Sequence, residues 1–201
     1  GGDTGITAAT QTLGVTVDPV NDAPEITGTF ALFDISEDES PNNGTQVSTL
    51  LNGFVSDIDN TTAEIGIALT GFNLTGMSDS AGSWEYSLDG GTTWLAVGAV
   101  SDTSALLLAS DDRVRFVPES NQTGSANLSF RAYDGSSGTV GAKEDLTAGD
   151  TERVSSNTIT TSVSVTPVND DPVQIQANAT AMEIDEGTSH VILQTELEYS
   201  S

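Results

Sequence analysis

Cysteine is absent from the chain, which excludes disulfide bonds and cysteine-ligated zinc from its fold. The single histidine, His190, lies near the end of the sequence, so a histidine-based catalytic triad or a histidine-rich metal site is excluded from the central region. No apolar run reaches the ~18 residues that a membrane-spanning helix requires. Aromatic residues make up only 5% of the chain, which is low for a helical enzyme.

Basic residues are also scarce. Five Lys and Arg residues stand against 30 Asp and Glu residues, and the formal net charge is −25. Such a surface repels nucleic acid and anionic membranes, so neither is an expected partner. Several bound Ca²⁺ ions would relieve the self-repulsion, because calcium takes carboxylate and carbonyl oxygens. The alternative is an acidic surface of the marine or halophilic kind, which stays soluble through unpaired acids.

An internal repeat divides the chain. The sequence Val-Thr-Val-Asp-Pro-Val-Asn-Asp-Ala-Pro at 15–24 returns as Val-Ser-Val-Thr-Pro-Val-Asn-Asp-Asp-Pro at 163–172, and a second pair of related segments follows at 35–40 and 184–189. We therefore expect residues 1–22 to be the last strand and linker of a preceding repeat, 23–168 a complete enlarged unit, and 169–201 a linker and first strands of a following repeat. We also expect the two incomplete flanks, 1–19 and 173–201, to pair with each other.

The central unit is rich in strand signals. Alternating, β-branched or aromatic residues predict strands at 63–69, 84–88, 105–108, 114–117, 126–133 and 158–165, and residues 11–17 alternate in the same way. Turn-forming Asn, Asp, Gly and Pro residues separate these segments, and no long helical periodicity occurs. The pattern predicts an all-β, antiparallel sandwich of the immunoglobulin or cadherin type with long loops.

Acidic residues gather in the turn regions, where several oxygens could converge on a calcium ion. The candidate calcium ligands lie in the two junctions, in Ile-Ser-Glu at 35–37, in the Asp-Ile-Asp-Asn turn at 57–60 and after the strand at 126–133. They are Asp18, Asn21, Asp22, Glu37, Asp57, Asp59, Asp134, Asn169 and Asp170. The alternative for any one of them is a turn or capping role.

These motifs resemble the cadherin-like repeats of large bacterial surface proteins, including RTX adhesins. Val-Asn-Asp-Ala-Pro at 20–24 is similar to their inter-repeat linker, Ile-Ser-Glu at 35–37 to their first-strand glutamate motif, and Ser-Asp-Ile-Asp at 56–59 and Arg-Ala-Tyr-Asp-Gly at 131–135 to their Asp-x-Asp and Ala-x-Asp-x-Gly signatures. The resemblance implies an extracellular, bacterial cell-surface protein in which calcium at the ends of each unit rigidifies a rod of domains.

Trp-Glu-Tyr-Ser-Leu-Asp-Gly-Gly-Thr-Thr-Trp at 84–94, Leu-Leu-Leu at 106–108 and Arg-Val-Arg-Phe-Val-Pro at 113–118 are similar to segments of long units in the same proteins. Over residues 79–170 the chain thus resembles the enlarged, peptide-binding unit of such adhesins, which implies capture of a protein or peptide C-terminus through bound calcium. All five basic residues fall between positions 113 and 153. If the strands at 114–117 and 126–133 pair, three arginines could converge on a ligand carboxylate. The candidate ligand-binding residues are Asp79, Asp89, Asp111, Asp112, Arg113, Arg115 and Arg131. The alternative is local pairing of these arginines with Asp111, Asp112 and Glu119.

The sequence leaves three candidate functions. Catalysis is not one of them, because no pair of carboxylates can be distinguished as catalytic from the candidate calcium ligands. The first is a monomeric, calcium-dependent module that binds a protein or peptide on another cell. The second is a calcium-rigidified extender that contacts only neighbouring repeats. The third is a carbohydrate-binding module, in which Trp84 or Trp94 would stack on a sugar, although both are better explained as core or turn residues.

Overall fold

The computed structural model describes residues 1–2, 14–18, 20–39, 42–149 and 151–170, together with the backbone of 173–174 and 199–200. Within these residues the chain is almost entirely β. The strands are β1 (Glu25–Ile26), β2 (Ile35–Ser36), β3 (Thr45–Gln46), β4 (Val55–Ser56), β5 (Gly66–Thr75), β6 (Gly82–Ser87), β7 (Leu95–Ala96), β8 (Ala105–Leu108), β9 (Arg113–Pro118), β10 (Gly124–Tyr133), β11 (Lys143–Glu144), β12 (Ile159–Thr166), β13 (Val173–Gln174) and β14 (Tyr199–Ser200). One short helix, α1 (Val47–Leu51), follows β3.

The larger sheet, sheet 1, has six strands in the order β11-β8-β5-β10-β12-β2. Every pairing is antiparallel except that of β12 with β2. In β10, alternate residues are buried and the intervening ones are partly exposed, as expected for a strand with one face on the core. Its inward residues Ala126, Leu128 and Phe130 are fully buried.

The smaller sheet, sheet 2, has four strands in the order β3-β9-β6-β7. Trp84 and Tyr86 of β6 and Val114 and Phe116 of β9 are buried in the same cluster as the inward residues of sheet 1. The indole of Trp84 and the ring of Phe116 lie 5.5 Å apart in a tilted arrangement. The two sheets therefore enclose one core, which confirms the predicted all-β sandwich.

The connection from β10 to β12, residues 134–158, covers part of the outer face of sheet 1. Leu146 and Val154 of this connection form a second buried cluster with Tyr133 and with outward residues of β5 and β8. Arg153 is 6% exposed, and its guanidinium donates to Glu144 at 2.7 Å and to the carbonyl oxygen of Asp145 at 3.1 Å. The connection is thus a packed layer on sheet 1.

The flanks differ from the sequence expectation. Residues 14–18 are exposed and belong to no strand, so the strand predicted at 11–17 is wrong for the part that the structure describes. In the C-terminal flank, β13 pairs antiparallel with β14. Among the described residues of 1–19, none pairs with β13 or β14. Residues 3–13, 19 and 175–198 lie outside the described part of the chain.

Candidate functional site

The candidate site lies at the end of the sandwich where β5 begins and β10 ends. The antiparallel register of these strands places Tyr133 opposite Gly66. The turn that carries Asp57 and Asp59 precedes β5, and Asp134 directly follows β10. Strand pairing therefore brings two acidic segments, more than 70 positions apart in sequence, to the same edge of the fold.

The turn at 57–60 is organised by Asp57. Its Oδ1 accepts hydrogen bonds from the backbone amides of Asp59 at 2.7 Å and Asn60 at 2.9 Å, as in an Asx turn. Its Oδ2 is buried and has no hydrogen-bond partner among the described residues. A buried carboxylate oxygen without a donor is unfavourable, because it loses its hydration without compensation. A bound cation would supply the missing partner.

Asp134 joins this turn to the junction that precedes the unit. The residue is 1% exposed, and its Oδ1 accepts from the backbone amide of Ser136 at 2.7 Å. Its Oδ2 accepts from the side-chain amide of Asn21 at 2.7 Å, and its carbonyl oxygen accepts from Asn60 Nδ2 at 3.3 Å. Hydrogen bonds from the side-chain amides of Asn21 and Asn60 therefore connect Asp134 to the first junction and to the 57–60 turn.

The junction residues make two further contacts. The backbone amide of Asp22 donates to Asp59 Oδ2 at 2.8 Å, and Asn21 Nδ2 also lies 3.4 Å from the carbonyl oxygen of Glu152. The structure thus brings together Asn21, Asp22, Asp57, Asp59 and Asp134 from the sequence prediction. The Glu152 carbonyl was not predicted, because a backbone oxygen in a long connection carries no sequence signal.

The other predicted calcium ligands lie elsewhere. Glu37 is buried at the opposite end of the sandwich, where its Oε1 accepts from the backbone amide of Val168 at 2.8 Å. Asn169 and Asp170 follow in the second junction and are exposed, as is Asp18 before the first junction. The nine predicted residues therefore belong to two separate ends, one for each junction.

Across the described part of the chain, no group of three or more Asp, Glu or His side chains is gathered as a metal site would require. The acidic residues at the β5–β10 end are bridged by hydrogen bonds from Asn side chains and backbone amides. The described residues also contain no helix long and apolar enough to cross a membrane.

The predicted arginine cluster is wrong. Arg113 and Arg115 lie on β9 in sheet 2, whereas Arg131 lies on β10 in sheet 1, so the strands do not pair. Arg115 donates to Glu85 at 2.8 Å and to the carbonyl oxygen of Asn42 at 2.7 Å, and its guanidinium lies 4.0 Å from the centroid of the Trp94 ring.

The other two arginines are engaged as well. Arg113 donates to the carbonyl oxygens of Asn43 and Gly44, and Arg131 donates to that of Ser155. The alternative pairing with Asp111, Asp112 and Glu119 is also wrong: the ion pairs of the described residues join Arg115 to Glu85, which lies opposite it in the sheet, and Arg153 to Glu144.

Four acidic residues were predicted beside those arginines. Asp89 closes its own turn: its carboxylate accepts from Thr93 and Ser87, and these hydrogen bonds lower the pKa of Asp89 to about 2. Asp112 is buried, and burial raises its pKa, although its Oδ2 accepts from the backbone amide of Ala109 at 2.7 Å. Asp111 and Asp79 are exposed.

The two tryptophans pack in the core and in a turn, as the sequence predicts. Trp84 is 3% exposed and belongs to the core. Trp94 donates from Nε1 to the carbonyl oxygen of Gly91 at 3.0 Å and so closes the turn after β6. One face of its ring is covered by Arg115.

Comparison with protein-family models, with curated proteins and with solved structures finds no match to this chain.

Proposed function

We propose that this chain is a non-enzymatic, calcium-dependent binding module of an extracellular bacterial adhesin. The main support for calcium binding is the Oδ2 atom of Asp57, which is buried and has no hydrogen-bond partner among the described residues. Asp57 lies where the first junction, the 57–60 turn and Asp134 meet. Three segments distant in sequence place side-chain oxygens at this end of the fold. The net charge of −25 makes bound cations favourable there.

The chemistry of the donors fits a hard cation. Calcium takes six to eight oxygens at about 2.3–2.6 Å, from carboxylates, side-chain amides, backbone carbonyls and water. Asp57, Asp59 and Asp134 would close on the ion as carboxylate ligands, and the amide of Asn21 would turn to present its oxygen. A bound ion would replace the hydrogen bonds that now bridge the acidic groups, and would hold the first junction against the sandwich.

Ligand capture is the finer part of the proposal. A calcium ion at the edge of the fold would keep one coordination position for the carboxylate of a peptide C-terminus, because the ion is the largest local charge in its site. The sequence resemblance to peptide-binding adhesin units supports this mode.

The second candidate is a calcium-rigidified extender. It is favoured by the position of Glu37 at the opposite end, where its buried carboxylate holds the amide of Val168 at the second junction. Acidic residues at both ends are what a rod of stacked units requires. A carbohydrate-binding role has less support, because Trp84 is only 3% exposed and Arg115 covers one face of Trp94.

Calcium binding is tested by titration calorimetry and thermal unfolding of the purified chain in EDTA and in calcium. At a free calcium concentration about 100 times the dissociation constant, linkage stabilises the folded state by about 2.7 kcal/mol. For a chain of this size that corresponds to a rise in melting temperature of roughly 5–10 °C. An identical melting temperature in both conditions would refute the calcium proposal.

Ligand capture is tested separately on peptide arrays with free and amidated C-termini, probed in calcium and in EDTA. We expect binding only to free C-termini and only in calcium. Calcium-dependent stabilisation without binding to any peptide would favour the extender. Equal binding to free and amidated ends would exclude carboxylate capture.

A further inference from the structure

A small cavity opens between the two sheets at the end of β5, at the opposite end of the sandwich from the Asp57–Asp134 site. Its volume is about 240 Å³, and it is lined by Phe72, Asn73, Leu74, Asp79, Gly82, Trp84 and Phe116. In another protein, an apolar cavity of about 150 Å³ binds benzene, so this cavity is large enough for a small organic molecule.

Aromatic rings form most of the apolar lining. Phe72 pairs with Leu128 across the β5–β10 ladder and so shares the inward face of sheet 1, yet it remains 42% exposed. Trp84 and Phe116 contribute rings from sheet 2. An inward-facing aromatic ring that the core does not cover leaves one face of the cavity available to a ligand.

Trp84 also has an unused polar group. The side chain is 3% exposed, but its Nε1 has no hydrogen-bond partner among the described residues. Buried tryptophan N–H groups usually find an acceptor, and an ammonium group cannot be one, so this N–H serves here only as the signal that reports on binding beside the ring.

The charge of the cavity lining favours a cationic ligand. Asp79 is the one charged residue in its lining, it is exposed, and neither ion pair of the described residues involves it. Aromatic faces attract ammonium groups through their quadrupoles, and a carboxylate within reach adds a direct ionic contact. The acidic surface of the whole molecule, with a net charge of −25, raises the local concentration of cations further.

We propose that this cavity binds a small organic ammonium ion with an aromatic or branched apolar body. The apolar body lies among Phe72, Trp84 and Phe116, and the ammonium group contacts the carboxylate of Asp79. This site is independent of the calcium proposal, because none of its residues belongs to the Asp57–Asp134 site.

The test is a titration of the ¹⁵N-labelled chain with phenethylammonium, followed through the indole N–H signal of Trp84. The indole of Trp94, which is already bonded to Gly91, is the internal reference. The neutral 2-phenylethanol and the anionic 3-phenylpropionate are matched probes. We expect a saturable shift at Trp84 with the ammonium compound, and weaker or no shifts with the other two.

Two variants at exposed positions locate the site. Asp79→Asn should weaken phenethylammonium binding about three- to tenfold, the range expected when a cation at a partly exposed site no longer has a carboxylate beside it. Phe72→Ala should weaken it by a similar factor, whereas Asp102→Asn, which removes one negative charge outside the lining, should leave it within twofold. The proposal is overturned if the ammonium compound causes no saturable shift, if the anion binds equally well, or if Asp79→Asn binds like the parent chain.

Discussion

The side-chain amide of Asn21 donates a hydrogen bond of 2.7 Å to the carboxylate of Asp134, although 113 positions separate the two residues in sequence. Asn21 belongs to the first junction and Asp134 follows β10, so this contact fastens the linker to the sandwich. Asp134 is buried, and its two oxygens are oriented by Asn21 and by the amide of Ser136.

The first prediction concerns the calcium response of Asp134. The variant Asp134→Asn should lose most of the rise in melting temperature that calcium gives the parent chain, because a neutral amide is a weaker ligand than a carboxylate. Asp102→Asn removes the same charge at a position outside the Asp57–Asp134 site, and it should keep the calcium response. Thermal unfolding of both variants in EDTA and in calcium measures the difference. A full calcium response in Asp134→Asn would show that the ion binds elsewhere.

The second prediction concerns the turn that Asp89 closes. Its pKa is lowered from 3.8 to about 2, chiefly by hydrogen bonds from the Thr93 amide and the side chains of Ser87 and Thr93. Because the folded pKa lies below the unfolded one, the ionised carboxylate stabilises the fold above pH ~4, and this contribution disappears as the pH falls through 2.

Asp89→Asn should therefore be less stable than the parent chain at neutral pH, and the difference should shrink between pH 4 and pH 2. Denaturant unfolding across that range measures the effect, with Asp102→Asn as the control for the removed charge. Carboxyl ¹³C titration of the parent chain provides an independent check, and an Asp89 midpoint near 4 would contradict the structure.

The third prediction concerns the ion pair that holds the 134–158 layer. Arg153 Nη1 lies 2.7 Å from Glu144 Oε2, and the hydrogen bond from Arg153 is the main cause that lowers the pKa of Glu144. Removing one partner of a buried pair costs ~3–5 kcal/mol, because the other charge stays buried without compensation. Glu144 is 26% exposed, so the loss in Arg153→Met should be smaller, about 2–3 kcal/mol.

Hydrogen exchange should locate this loss in residues 134–158, while the central strands keep their protection. Lys143→Met is the matched control, because that lysine is exposed and its ammonium group donates to the carbonyl oxygen of Ala99. Its effect should stay within about 0.5 kcal/mol. Equal effects of the two variants would show that the ion pair does not anchor the layer.

The fourth prediction concerns two glycines of β5. A Cβ atom on Gly66 would overlap the backbone carbonyl of Leu108 on the neighbouring strand, whereas one on Gly71 would approach only Ser129 Cβ, at 3.8 Å. Gly66→Ala should therefore destabilise the fold by about 1–3 kcal/mol or more, since backbone cannot move aside without breaking the β5–β8 ladder. Gly71→Ala should be nearly neutral. Denaturant unfolding compares the two, and similar values would argue against the β5–β8 register.

The local pattern of apolar and polar residues predicts the long strands. The prediction at 105–108 coincides with β8, and those at 114–117 and 126–133 fall within β9 and β10. Alternation of apolar residues depends only on neighbouring positions, so it can be read without knowing the fold. The strand predicted at 11–17 is wrong at the described positions, because alternation alone does not provide a pairing partner.

By itself, the sequence determined the all-β sandwich, because strand periodicity and turn residues are local properties. It also determined that acidic residues would gather in loops at the junctions. Which of these residues meet depends on the strand pairing: the β5–β10 register brings the Asp57 turn to Asp134, while Glu37 lies at the other end. The tertiary structure likewise separates Arg131 from Arg113 and Arg115 by placing their strands in different sheets. The physical reason is that strand partners are chosen by burial of the whole core, a long-range property that no short segment encodes.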